Sequence, residues 1–277
     1  MEIAFGKKLC KERIAYDNLA ELQDIIFNAS SDMNLLNITT EGRFGKTFLF
    51  LIRCLPLLSD QFGKSINITV SNVLYENLCK TRFLADTRIK LGHVGVLCFE
   101  QLHDVKTTLD LTKRIVNDIP VDMSERLRED MISKIGELFI NAHEHSNAKH
   151  VLGGRYTKSQ GKYCFACYDT GIGISEKIRT FLTYNKNEFS DEEALKWALE
   201  RLNTTVVTSN KPRGLGLDLL RRFCRANAGV IRICSGNTLY TYDCRGVEPV
   251  DKYQLLKNLF RGTLFEMDIN TDDRKYI

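Results

Sequence analysis

From Ser124 to His145 the apolar residues Leu127, Met131, Ile132, Ile135, Leu138, Phe139 and Ala142 recur at spacings of three and four. That period predicts one long amphipathic helix. Strand-like runs follow over His150–Tyr156 and Tyr163–Tyr168, joined by a polar loop that contains Gly161. Ser190-Asp-Glu-Glu193 reads as a capping box opening a helix over Asp191–Arg201. A further helix is expected over Gly216–Asn227, stopped by Gly229 in a left-handed conformation. Three strands are expected to close the chain: Val230–Ser235, Leu239–Cys244 and Thr263–Ile269.

The first part has a different rhythm. Ala15–Phe27 and the apolar run Gly45–Ser59 read as helices, and Ser65–Val70 alternates as a strand does. Val73–Phe83 is helix-like again, and Val94–Phe99 is a strand. The β–α–β–α order predicts a small sheet with helices. Pro120 separates Asp104–Asp118 from the long helix, and a domain boundary is expected close to residue 105. The expected division is thus an N-terminal α/β domain over 1–104 and a second domain over 105–277.

The 277 residues suffice for one large or two ordinary domains, and 43% hydrophobic with 27% charged residues is ordinary for a globular protein. The net charge of +4 is spread along the chain without a Lys/Arg block, so no nucleic-acid footprint is indicated. The most apolar run, Thr47–Leu58, is short and carries Arg53 and Pro56, so no membrane span is expected. The first residues lack the apolar stretch of a signal peptide, which makes the cytoplasm the expected compartment. Nine cysteines, mostly in apolar runs, fit free thiols. Cys164-Phe-Ala-Cys167 alone has metal-like spacing. In a strand its two thiols point to opposite faces, so the pair reads as structural, with a redox or zinc role as the alternative.

Three motifs can carry chemistry. Glu137, Asn141 and His145 are spaced by four and share one face of the long helix, opposite its apolar stripe. An amide oxygen there suits magnesium, and a neighbouring carboxylate could polarise a nucleophile for attack on a phosphoryl group. The same spacing also describes an ordinary solvated helix face. Asp169-Thr-Gly171-Ile-Gly173-Ile174 directly follows a strand; its glycines permit close backbone approach, and its Asp can accept a hydrogen bond from an exocyclic amine. A Gly-rich turn closed by Asp is the alternative. Arg213-Gly214-Leu215-Gly216 opens a helix, where backbone N–H groups bind anions and Arg213 or Lys211 adds charge, or where glycines merely ease entry into the helix.

In this order the motifs resemble the N, G1 and G2 boxes of the Bergerat fold, the ATP-binding fold of the GHKL superfamily shared by DNA gyrase, heat-shock chaperone ATPases, histidine kinases and MutL. The resemblance covers roughly residues 105–277, and Gly262-Thr263-Leu-Phe-Glu-Met looks like the last strand of that fold. It implies an α/β sandwich, a mixed sheet covered by helices on one face, with ATP and Mg2+ as ligands. By the same resemblance Asn141 coordinates magnesium, and Glu137 is the general base or orients the nucleophile. Asp169 recognises adenine with Thr263 assisting, and Gly171 and Gly173 shape the base pocket. Gly214, Leu215 and Gly216 contact phosphates, and residues 175–213 form a lid that orders on nucleotide binding. Glu144 departs from the histidine-kinase pattern, which often has a basic residue three positions after the Asn; the Asn-Ala-x-Glu-His string is closer to the anti-sigma-factor serine kinases.

Residues 1–104 hold only His93 and His103, and neither lies in the acidic helical hairpin that a self-phosphorylating sensor kinase uses. The strand Ile66–Val70 and the helix Val73–Phe83 loosely resemble the second half of a STAS domain, which implies a regulatory protein partner. Three functions follow: an ATP-driven regulatory switch acting on a protein partner, a serine/threonine kinase of the anti-sigma-factor type, or an inactive interaction module. A homodimer is compatible with each.

Overall fold

The structure, a computed structural model, describes residues 1–5, 12–30, 32–40, 46–71, 74, 99–101, 105–158, 162–184, 188–200, 216–272 and 274–277. The chain is mixed α/β and divides into two compact units, Met1–Phe99 with Leu256–Arg261, and Glu100–Leu255 with Gly262–Ile277. The division falls at 99/100 rather than 104/105, and six residues from late in the sequence join the first unit. Sequence period does not reveal that second crossing, because the six residues lie inside one continuous strand.

The first unit is built from β1 (Glu2–Phe5), α1 (Glu12–Phe27), β2 (Leu35–Thr40), α2 (Lys46–Gln61) and β3 (Asn67–Val70). Its sheet is parallel in the order β1-β2-β3, as helix-linked strands require. Helix α1 buries Tyr16, Leu19, Ala20, Gln23 and Ile26, one stripe at helical spacing. Gln23 also fixes the late segment: its amide donates to the Arg261 carbonyl at 3.1 Å and accepts from the Arg261 N–H at 2.7 Å. The Arg261 guanidinium meets Asp24 at 2.9 Å and lies 3.5 Å from the centre of the Phe27 ring. The helix expected over Val73–Phe83 lies outside the described residues except for Leu74, as does the strand expected over Val94–Phe99 except for its last residue.

The second unit contains β4 (Phe99–Gln101), α3 (Val105–Asn117), β5 (Asp122–Met123), α4 (Glu125–His145), β6 (Val151–Lys158), β7 (Lys162–Asp169), α5 (Ile174–Leu182), α6 (Asp191–Leu199), α7 (Gly216–Ala226), β8 (Val230–Asp243), β9 (Val250–Asn270) and β10 (Lys275–Tyr276). Five strands form one sheet in the order β4-β6-β7-β9-β8, with β7 antiparallel to both neighbours. Tyr163, Phe165 and Cys167 of β7 and Phe265, Met267 and Ile269 of β9 pack with Met131, Ile135 and Phe139 of α4 and Leu220 and Phe223 of α7 in one core. The expected amphipathic stripe is therefore the face of α4 against the sheet. Its start is also as expected, since the Ser124 hydroxyl accepts from the Leu127 N–H. Cys164 and Cys167 do point to opposite faces: Cys167 belongs to the helix-side core, and the Cys164 thiol donates to Glu266 at 3.4 Å.

Three local expectations are corrected. Residues 230–243 form one strand rather than two, with Gly236 at φ +62° inside it. Strand β9 begins at Val250, well before the expected Thr263, because Val250–Gly262 lacks the clean alternation that marks a half-buried strand. The left-handed residue after α7 is Ala228, at φ +52°, rather than Gly229. Gly229 is instead required by space, since a Cβ there would meet the Asp268 carbonyl oxygen at 2.4 Å. Ala228→Gly is therefore expected to stabilise the chain by about 0.5–1 kcal/mol, the relief of left-handed strain less the added freedom of the unfolded chain. Urea denaturation checks this, and an unchanged or lower midpoint would count against it.

Candidate functional site

Strand β7 ends at Asp169, which is 3% exposed and lies opposite Thr263 in the β7/β9 register. Its carboxylate accepts from the Gly171 N–H at 2.9 Å, and Thr263 across the register also favours its charged form. Burial nevertheless dominates and pushes the carboxyl up to about 7, against the lowering effect of those donors. A carboxylate offers about four lone-pair positions. The Gly171 N–H fills one of them, leaving acceptor capacity for a further donor.

The loop after Asp169 is fixed from three sides. The Ser146 carbonyl, just past the end of α4, accepts from the Ile172 N–H at 2.8 Å, and the Ser146 hydroxyl caps the same helix end through Ala142. A Cβ on Gly171 would meet that Ser146 carbonyl oxygen at 2.0 Å, so only glycine fits. Gly173 has φ +83°, and the next N–H, that of Ile174, donates to the Ser235 hydroxyl at 2.8 Å. Gly262, also at φ +83°, lies against the Asp169 carbonyl. The glycines at 171 and 173 thus bring the turn against α4 and β8, while Gly262 brings β9 against the end of β7.

Glu137 and Asn141 lie on α4 away from its buried stripe, as the spacing predicts. Asn141 is exposed, and Glu137 is half-buried and paired with Lys134 at 3.0 Å. Asn141 precedes Ser146 by five residues, about 7.5 Å along the helix axis, so it stands on the same end of α4 as the Asp169 loop. Gly216 is the first residue of α7. Arg213, Gly214 and Leu215 lie outside the described residues.

Sequence reasoning missed Ser146, Ser235 and the pair Arg179–Asp191. Of residues 175–213, expected as a lid, those up to 182 in α5 and those over 191–199 in α6 are helices fastened to the sheet. Arg179 donates to Asp191 at 2.6 Å with both side chains buried, and Asp191 also accepts from the Asn237 N–H at 2.8 Å on β8. The capping box at Ser190 is present as expected and gave the start of α6. The buried anchor was invisible because it joins residues far apart in sequence; the weak signal was Gly236, against which the Asp191 carboxylate rests. Elsewhere in this unit, Cys164, Glu266 and Asp268 form a buried group with ligand atoms within 4.8 Å of one another, but Arg232 donates to Asp268 at 2.9 Å and already supplies a positive charge there. Among the described residues no helix is long and apolar enough to cross a membrane.

No protein-family model matches the chain. No curated protein matches it either. Among solved structures, it is similar to a topoisomerase IV ATP-binding domain of Francisella tularensis in complex with a small-molecule inhibitor, at 14% identity and TM-score 0.29 over 64% of this chain and 44% of that one. It is also similar to full-length ShkA in complex with AMPPNP, at 13% identity and TM-score 0.29 over 95% of this chain and 44% of that one. The chain therefore matches less than half the length of either protein, and the functional reading rests on its own residues.

Proposed function

We propose that the second unit binds ATP with magnesium, and that the protein is a regulatory ATPase whose nucleotide state controls a protein partner. The observation that carries the reading is Asp169: a carboxylate buried at a strand end opposite Thr263, accepting from the Gly171 N–H and with acceptor capacity left for a further donor. The exocyclic amine of adenine is such a donor. In this reading Thr263 supports the base contact, and Gly171 and Gly173 bring the turn close to the ring. Backbone groups of Gly216, the first residue of α7, and of Gly214 and Leu215 before it in sequence would receive the phosphates, with Arg213 adding charge.

Asn141 would hold the magnesium ion, since an exposed amide oxygen is a hard ligand suited to it. The ion would neutralise charge on the phosphates. Glu137 would orient or polarise the attacking nucleophile, with Lys134 fixing its carboxylate from one helical turn away. A serine or threonine of a partner could take the place of water as that nucleophile, which is the kinase alternative.

Titration calorimetry with ATP tests the reading. Asn141→Ala is expected to weaken ATP binding about tenfold with magnesium present and to leave binding in EDTA unchanged, the loss of one ligand bond being worth ~1.5 kcal/mol. Equal weakening in both conditions would refute the metal assignment. No binding of ATP by the parent chain at millimolar concentration would refute the whole reading.

A further inference from the structure

Helix α7 packs Leu220, Phe223 and Cys224 into the core, and apolar contact of that kind has no direction of its own. It holds the helix against the sheet but leaves its roll and tilt to directional contacts. Arg221, beside the buried stripe, supplies them. One nitrogen of its guanidinium donates to both carboxylate oxygens of Asp251, at 3.0 and 3.1 Å, and another donates to the Tyr240 hydroxyl at 2.8 Å. That hydroxyl donates in turn to Asp251 at 2.5 Å, which closes a ring of three groups. The guanidinium also lies 4.1 Å from the centre of the Tyr242 ring.

Tyr240 and Tyr242 are two apart on β8 and share the face that packs in the core with α7. Tyr240 is 0% exposed, and its ring centre lies 5.0 Å from that of Tyr253. Burial first, and the bond to Asp251 second, push its phenol up, so it remains a donor at neutral pH. A second ion pair reaches out from α7 one turn further on, Arg225 with Glu248 at 3.5 Å. Its side chains are 64% and 79% exposed, and a solvated pair of that kind holds little. The closed ring at Arg221 therefore decides how the helix is held.

We propose that Arg221, fixed by Asp251 and Tyr240, is a positioning residue that aims the start of α7 at the phosphates of the nucleotide. This rests on the reading of Gly216 and the residues before it as the phosphate-binding end. Gly216 precedes Arg221 by five residues, about 7.5 Å along the helix axis. Over that length a tilt of about 10° at Arg221 moves the first N–H groups by about 1.3 Å. Hydrogen bonds to phosphate oxygens lose length and alignment over such a shift. The adenine contact at Asp169 and Thr263 is built on β7 and β9 instead, so the two ends of the ligand respond differently to a loosened α7.

Titration of the full chain with ATP and with adenosine, which has no phosphates, reads the two ends separately. Arg221→Met keeps the stem and removes the guanidinium. It is expected to weaken ATP about tenfold and adenosine less than about twofold. Asp251→Ala should do the same, and the double variant should be no weaker than either single one, because each opens the same ring. Arg225→Met should leave both ligands unchanged. Equal loss of ATP and adenosine affinity would mean that Arg221 only stabilises the fold, and it overturns the proposal, as does parental ATP affinity in Arg221→Met. Hydrogen exchange without nucleotide separates the hold on α7 from the nucleotide reading. In Arg221→Met the amides of Leu220–Phe223 should exchange faster than in the parent, and those of Ile231–Cys234 should not change. If the parent binds neither ligand the nucleotide reading falls, and unchanged exchange in α7 then overturns the hold by Arg221 as well. Asp251, with a side chain 44% exposed, carries every arm of the test through Asp251→Ala should Arg221→Met fail to fold.

Discussion

Gly262→Ala is expected to lower the stability of the second unit by about 2–5 kcal/mol, a large share of the stability of an ordinary domain. Two costs add. At φ +83° an L side chain is strained by about 1–2 kcal/mol. The new Cβ would also meet the Asp169 carbonyl oxygen at 1.9 Å and the Tyr168 ring at 3.3 Å. The first contact is with backbone, so β9 must move away from β7, and overpacking of that kind costs ~1–3 kcal/mol. Gly63→Ala separates the two: Gly63 has φ +65°, and among the described residues nothing lies within 4 Å of its added Cβ, so only the backbone cost of ~1 kcal/mol remains. Gly63 lies in the first unit and Gly262 in the second, so urea denaturation is followed by far-UV circular dichroism for both and by the fluorescence of Trp197, the single tryptophan, for the second. If Gly262→Ala cost no more than Gly63→Ala, the close approach of β9 to Asp169 would be wrong.

The elements that the sequence announced are those whose cause is local. Ser190 and Glu193 cap α6 reciprocally within one turn, and Met131, Ile135 and Phe139 mark the buried side of α4 by spacing alone. Asp169 was legible as a strand end followed by glycines. What escaped was set by partners distant in sequence. Gly262 reads as an ordinary glycine until β9 is laid beside β7, and Asp191 reads as a first-turn acid of a helix until Arg179 and Asn237 are brought to it. The extension of β9 over 250–262 escaped for a related reason: part of it, 256–261, belongs to the first unit, so no single face dictates its pattern. Ala228 escaped because turn propensity places glycine at left-handed positions, whereas here the crowding of Asp268 claims the glycine one residue later.

These glycines and serines change what the candidate site is. The end of α4 does more than carry Glu137 and Asn141, because the Ser146 carbonyl also holds the loop that follows Asp169. Ser235 holds the same loop from β8, and Asp191 ties α6 to the neighbouring Gly236–Asn237 of that strand. The Asp169 loop is thus pre-set by packed elements rather than shaped on binding. Preorganisation of this kind lowers the ordering cost of binding a ligand.

Nucleotide affinity is expected to fall as pH drops below about 7, while the stability of the free chain moves the opposite way. In the free protein burial holds the Asp169 carboxyl at about 7, well above its value of 3.8 in an unfolded chain. Between those values the folded chain binds more protons than the unfolded one. The stability associated with the neutral carboxyl is therefore fully present below 3.8 and is lost as pH rises to about 7, an upper limit of order 4 kcal/mol. An exocyclic amine donating to Asp169 favours the ionised form, so the bound carboxyl titrates below the free one. Below about pH 7 binding must then release a proton, and affinity falls by up to about tenfold per pH unit until the bound form also protonates. The terminal phosphate of ATP takes up a proton in the same range, so the slope is read against Asp169→Asn, which cannot titrate. That variant is expected to bind ATP about 10–100-fold more weakly at pH 8, through loss of a hydrogen bond to a charged group worth ~1.5–3 kcal/mol. Between pH 5.5 and 7 it should show a shallower affinity slope than the parent. Calorimetry in buffers of different ionisation heat counts the released proton directly. A parent chain and an Asp169→Asn chain with the same slope and the same proton count would remove Asp169 from the adenine contact.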